Sequence, residues 1–248
     1  MRSIALSLLA LLPTSLLIAC GPSEAELKSA QNLDQAVRQL NTVCDDFIQE
    51  ISNEGQLTRV DMSDYYNGYV ERIQTISQDL AGKTLVDDYR NFRARFDSVS
   101  RESNRLIQAR EEYISKVVDM ANALEEFSDK VSRAEESEYN TFEYLSEAYA
   151  KEREFKKSEG ELDSLKSRLR SRGEAVEELV SRYNQIITEK ATQDSVRHCT
   201  EIDSLPDFVG ETQVLMEAST FDYGRYDSVM EEVRQNAGNQ QRTSGSDS

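Results

Sequence analysis

The sequence predicts an all-α protein, an elongated helical bundle built around a long antiparallel coiled coil. Three observations carry that expectation. The 248 residues include only ten Gly and three Pro, too few for the many hairpin turns of an all-β fold. Charged residues make up 30% of the chain against 38% hydrophobic ones, a balance that suits a slender molecule with much surface for its volume. Apolar residues return every three or four positions through most of the chain, the spacing of helix faces.

The N-terminal segment reads as an address. Arg2 supplies a positive start, and Ile4 to Ala19 form an apolar stretch broken only by Ser7, Pro13, Thr14 and Ser15. It is short of the roughly 20 residues that span a bilayer and suits the apolar region of a signal peptide. It ends in Leu17-Ile18-Ala19-Cys20-Gly21. This resembles the lipobox of bacterial lipoproteins, with Ile18 standing where Ser or Ala is more usual. The resemblance covers only the first twenty-odd residues, and no family is recognised for the rest. It implies diacylglyceryl attachment at the Cys20 sulfur, cleavage after Ala19, and acylation of the new N-terminus with a fatty acid such as palmitate. By the same resemblance, Gly21 in place of Asp implies the outer membrane facing the periplasm in preference to the cytoplasmic membrane. Beyond Cys20 every stretch longer than seven residues carries a charge, so the lipid is the expected anchor.

Loss of residues 1–19 removes only Arg2 and takes the net charge from −17 to −18. A polyanion of that size is repelled by nucleic acid and by anionic headgroups, which excludes both as expected partners. With Cys20 lipidated, Cys44 and Cys199 are an even pair in an oxidising compartment, and a disulfide between them is expected.

The divisions expected are a signal peptide over 1–19, a lipidated tether over 20–25, a helical domain over 26–235 and a disordered polar tail over 236–248. From about Glu24 to Ser52, the apolar positions Leu27, Ala30, Leu33, Val37, Leu40, Cys44, Phe47 and Ile51 make one helix face. Asn53-Glu54-Gly55 is a stop signal. A second helix is predicted from Asp61, an N-cap residue type, through Tyr66, Tyr69, Ile73, Ile76 and Leu80 to Gly82.

The next segment carries the strongest pattern. A heptad row runs Tyr89, Phe92, Phe96, Val99, Ser103, Leu106, Arg110, Tyr113, Val117, Met120, Leu124, Phe127, Val131, Ala134, a coiled-coil signature interrupted only by Ser103 and Arg110. The row then slips phase to Phe155, Leu162, Leu169, Val176 and Tyr183. Inside the slip, Ser158 and Glu161 have capping-box spacing around Gly160, which predicts a hairpin there, with Gly173 a second candidate. The return helix is expected over about 159–197. Ile202 to Gly210, containing Pro206, reads as a loop, and a short helix follows near Tyr226 to Val233.

The chain gives little sign of chemistry. The single His198 flanks Cys199, and no nucleophile-elbow motif supplies a serine for a triad. One histidine cannot furnish the two Glu-x-x-His pairs of a di-metal bundle, and phosphate-cradling Gly-rich loops are missing. Acidic pairs such as Glu111-Glu112 read as solvated helix faces. The protein is therefore expected to be no enzyme and to use no cofactor or metal beyond the lipid on Cys20. The local feature that stands out is Tyr139, Phe142, Tyr144, Tyr149 and Phe155, five aromatics in a short span. At 100° per residue they fall on two nearly opposite faces, and aromatics are the preferred anchors of protein interfaces. They are the expected docking site for another envelope protein or a second copy. The function expected is a non-enzymatic scaffold, spacer or adaptor. The alternative is a periplasmic ligand-binding or sensory bundle, with Tyr and Phe lining a pocket between helices.

Overall fold

The computed structural model describes residues 22–51, 59–135, 141–190, 199–218 and 221–244. Within them the chain is all-α, with six helices and no strand: α1 (Glu24–Ile51), α2 (Arg59–Ala81), α3 (Asp87–Glu135), α4 (Thr141–Lys190), α5 (Ser204–Ala218) and α6 (Tyr223–Ser244).

Helix α1 begins in a reciprocal capping box. The Ser23 amide donates to Glu26 Oε2 at 2.6 Å, and the Glu26 amide donates to Ser23 Oγ at 3.2 Å, so two helix-end donors that would lack partners are satisfied. One turn on, the buried Ser29 hydroxyl accepts from the Val86 amide at 3.1 Å. That bond fixes the α2–α3 turn against the start of α1. The turn follows Gly82, whose amide donates to Gln78, as the sequence predicts for a helix end.

Helices α3 and α4 pair antiparallel. Arg172 meets Glu102, Arg168 meets Glu112, Lys116 meets Glu161 and Lys130 meets Glu147, so positions rise along one helix as they fall along the other. Each exposed ion pair contributes about 0–1 kcal/mol. The pairing is held by the apolar rows between the helices, Phe92, Phe96, Leu124, Phe127 and Val131 from α3 and Leu162, Leu169, Val176 and Tyr183 from α4, all buried. At 1.5 Å per residue, α3 is about 73 Å long.

The rest of the chain clothes this hairpin in two storeys. In the lower one α1 and α2 lie against α3, with α5 in the groove between α1 and α4. Leu205, Phe208, Val209 and Thr212 of α5 are all buried there, the i, i+3, i+4, i+7 face of a helix docked in a groove. In the upper storey α6 packs on α3 and α4 through Val229, Met230 and Val233.

Several boundaries differ from those predicted. Helix α4 runs unbroken through 157–161 and Gly173. Glu161 reaches across to Lys116 instead of capping a new helix, and a Gly inside a helix costs only about 1 kcal/mol. Gly173 is a packing residue: a Cβ there would meet Val209 Cγ1 at 3.0 Å. The span from Ile202 to Gly210 is mostly helix, because Pro206 stands in the first turn of α5, where its missing N–H is not needed. Helix α6 continues to Ser244 through part of the tail expected to be disordered; its Gln and Arg residues have high helix propensity, and the docked first half supplies the nucleus. The predicted stop at Asn53-Glu54-Gly55 lies outside the described residues.

Candidate functional site

The distal end of the α3–α4 pair is the predicted docking site. Phe155 is buried, stacked on Phe221 at 5.8 Å between ring centroids and tilted against Tyr226 at 5.0 Å. The start of α6 thus covers it, and Phe155 belongs to the core instead of a free face. Tyr223, exposed, packs edge-on against Phe221 at 4.9 Å. Phe142, Tyr144 and Tyr149 lie within the next four turns of α4 towards its start; their side chains, and Tyr139 as a whole, lie outside the described residues. Arg234 of α6 reaches Glu152 of α4, so α6 runs towards the same end.

The expected Cys44–Cys199 disulfide is not formed; both cysteines are free. The reason is register. The Thr200 amide donates to Asp34 Oδ1 at 2.9 Å, which sets Cys199 beside a turn of α1 ten residues before Cys44. That is about 15 Å along the helix axis, whereas a disulfide joins Cα atoms within about 7 Å. Cys44 instead lies in the core against Phe47, Tyr69 and Phe208, at the edge of a cavity of about 10 Å³. Burial pushes its thiol well above the usual range, and burial with the nearby Asp34 carboxylate pushes Cys199 up to about 11. Neither is a ready thiolate.

The polar constellation that the sequence does not announce is the clasp around 200–203. Asn184 of α4 donates to the Ile202 carbonyl at 2.8 Å and accepts from the Ile202 amide at 2.9 Å. From the other side Asn41 of α1 donates to the Glu201 carbonyl at 3.1 Å and accepts from the Asp203 amide at 3.3 Å. Alternate peptide groups therefore point to opposite sides, as in an extended strand, and two side-chain amides stand in for the neighbouring strands. Asp34 completes the grip by accepting from the Thr200 amide and hydroxyl. Burial raises the Asp34 carboxyl, but the hydrogen bonds from Arg38 and Thr200 outweigh it and hold the group below its ordinary value.

Arg110, one of the two interruptions of the heptad row, is fully buried where the two storeys meet. Its Nε donates to the Tyr66 hydroxyl at 2.8 Å, and its guanidinium lies 5.8 Å from the Phe47 ring centroid. Ser103, the other, donates back to the Val99 carbonyl at 2.9 Å. Both are structural polar groups inside the core.

Among the described residues no group of His, Cys, Asp and Glu could hold a metal ion, and no helix is long and apolar enough to cross a membrane. The chain matches no family model, no curated protein sequence and no solved structure.

Proposed function

We propose that this protein is a lipid-anchored, non-enzymatic arm of the bacterial cell envelope, exported and held at the outer membrane by the lipid on Cys20. The observation that supports the reading is the register of anchor and fold. Helix α1 starts at Glu24, only four residues after Cys20, so the tether is Cys20 to Ser23 and reaches at most about 14 Å. The end of the molecule bearing the α1 capping box and the α2–α3 turn then stands next to the bilayer. The hairpin tip lies about 70 Å further out.

A short tether and a long stiff reach suit a spacer or adaptor. The aromatic span from Tyr139 to Tyr149 would then be displayed at the far end, where it meets another envelope protein. A coiled coil between α3 and α4 would give the arm its stiffness. Exchange of Cys20 for Ala tests the anchor: the variant should move from the membrane fraction to the soluble periplasmic fraction. Retention in the membrane would overturn the lipoprotein reading. For the tip, a photo-reactive residue at Tyr144 should yield adducts with one abundant envelope protein, and purely intramolecular adducts would refute the adaptor role.

A further inference from the structure

We propose that the outer furrow between α1 and α2 is a binding site for a short peptide with free termini. This goes beyond the arm reading and does not depend on it. The furrow has a volume of about 710 Å³, within the range of ligand sites. Its floor is aliphatic, formed by Val43 and Ile76. A separate, smaller cavity of about 60 Å³ towards the end of α2 is lined by Ala36 and Leu80.

Two guanidinium groups stand in the lining, one on each helix: Arg38 on α1 and Arg72 on α2. Both are exposed, each with one carboxylate partner, and both keep donors unspent. Arg38 uses Nε on Asp34 at 2.8 Å, and Asp34 is itself fixed by Thr200. Arg72 uses Nη2 on Asp46 and lies 5.2 Å from the Tyr69 ring centroid. Among the described residues the remaining N–H groups of these two arginines donate to no protein acceptor, and a planar carboxylate is their natural partner.

The other groups decide the class of anion. Glu71 lines the same furrow, which disfavours a phosphate and suits a ligand that also carries an ammonium group. Gln35 and Gln39 offer side-chain amides matched to peptide groups. The Thr42 and Thr75 hydroxyls donate to the carbonyls of Arg38 and Glu71 in their own helices, so their lone pairs face outward as acceptors. Carboxylate, ammonium, peptide groups and a small apolar side chain describe a short zwitterionic peptide.

Gly68 makes the proposal testable. It sits in the furrow wall, and nothing lies within 4 Å of where its Cβ would be. Gly68→Leu therefore fills the furrow without disturbing the fold, since Leu favours helix more than Gly does. The probe is tri-alanine, titrated calorimetrically into the full-length lipidated protein in detergent, with N-acetylated, C-amidated tri-alanine as comparison. Saturable binding of tri-alanine is expected, weakened at least about tenfold by blocking its termini, by Gly68→Leu, and by Arg38→Gln combined with Arg72→Gln. The thermal midpoint of Gly68→Leu should match or exceed that of the parent. No saturable binding up to about 10 mM, equal binding of the blocked peptide, or binding that survives Gly68→Leu with the fold intact would each overturn the site.

Discussion

Tyr66 and Arg110 share the hydrogen bond on which the junction of the two storeys turns. Tyr66→Phe should cost about 1.5–3 kcal/mol, because the bond lost is to a buried charge, and a urea titration reads the loss directly. Arg110→Met should be milder than Arg110→Ala: both lose the bond to Tyr66, but Met fills most of the volume that Ala would leave empty. Periodicity exposes Arg110 as an interruption in an apolar row. It cannot supply Tyr66 as the partner, because 44 residues separate them and only packing brings them together. The clasp is still less visible: Asn41 and Asn184 sit on ordinary helix faces, and their acceptors and donors are main-chain groups that any sequence would present. Asn184→Ala removes both partners of the buried Ile202 peptide groups and should destabilise by about 2–3 kcal/mol. Asp34 adds a pH signature. Its folded-state carboxyl lies below its ordinary value, so its contribution is present above an unfolded value of about 3.9 and is lost as the pH falls through the folded value. The stability difference between the parent and Asp34→Asn should shrink as the pH drops from about 5 to about 3.

Among the helices, the first four owe their boundaries to signals of unequal strength. The apolar face of α1 and the end of α2 at Gly82 were readable because periodicity and stop residues agree there. For α3 and α4 two capping patterns compete. Ser158 and Glu161 have the spacing, yet they lie inside α4, and the helix instead starts at Thr141, directly after Asn140 and with Glu143 in capping-box spacing from it. What decides is burial: Phe155, Leu162 and Leu169 form one continuous row through Gly160, and a break would expose it. At α5 the reverse holds: Pro206, a loop marker in the sequence, stands in the first turn of a helix. Its docking can be measured. Phe208 is fully buried and packs edge-on against Phe47 at 4.9 Å, so Phe208→Ala should cost about 3–5 kcal/mol. Gly173→Leu should also destabilise, by about 1–3 kcal/mol, through its clash with Val209. In contrast, Gly160→Ala has open space and should stabilise α4 by up to about 1 kcal/mol.

At the scale of the molecule, the all-α class follows from composition and periodicity alone, because few turn residues and a steady three-and-four spacing leave no other architecture. The two-storey arrangement does not follow, since it depends on where α5 and α6 dock, and their apolar faces are short. The long antiparallel pair of α3 and α4, 49 and 50 residues, becomes a standing arm only under the proposal that Cys20 carries the lipid anchor. The measurement that tests this most directly is neutron reflectometry of the lipidated protein on a supported bilayer, under conditions of dense coverage. A protein layer about 70 Å or more in thickness is expected, and Cys20→Ala should leave no layer. A layer of about 30 Å, the signature of a molecule lying flat, would contradict the arm.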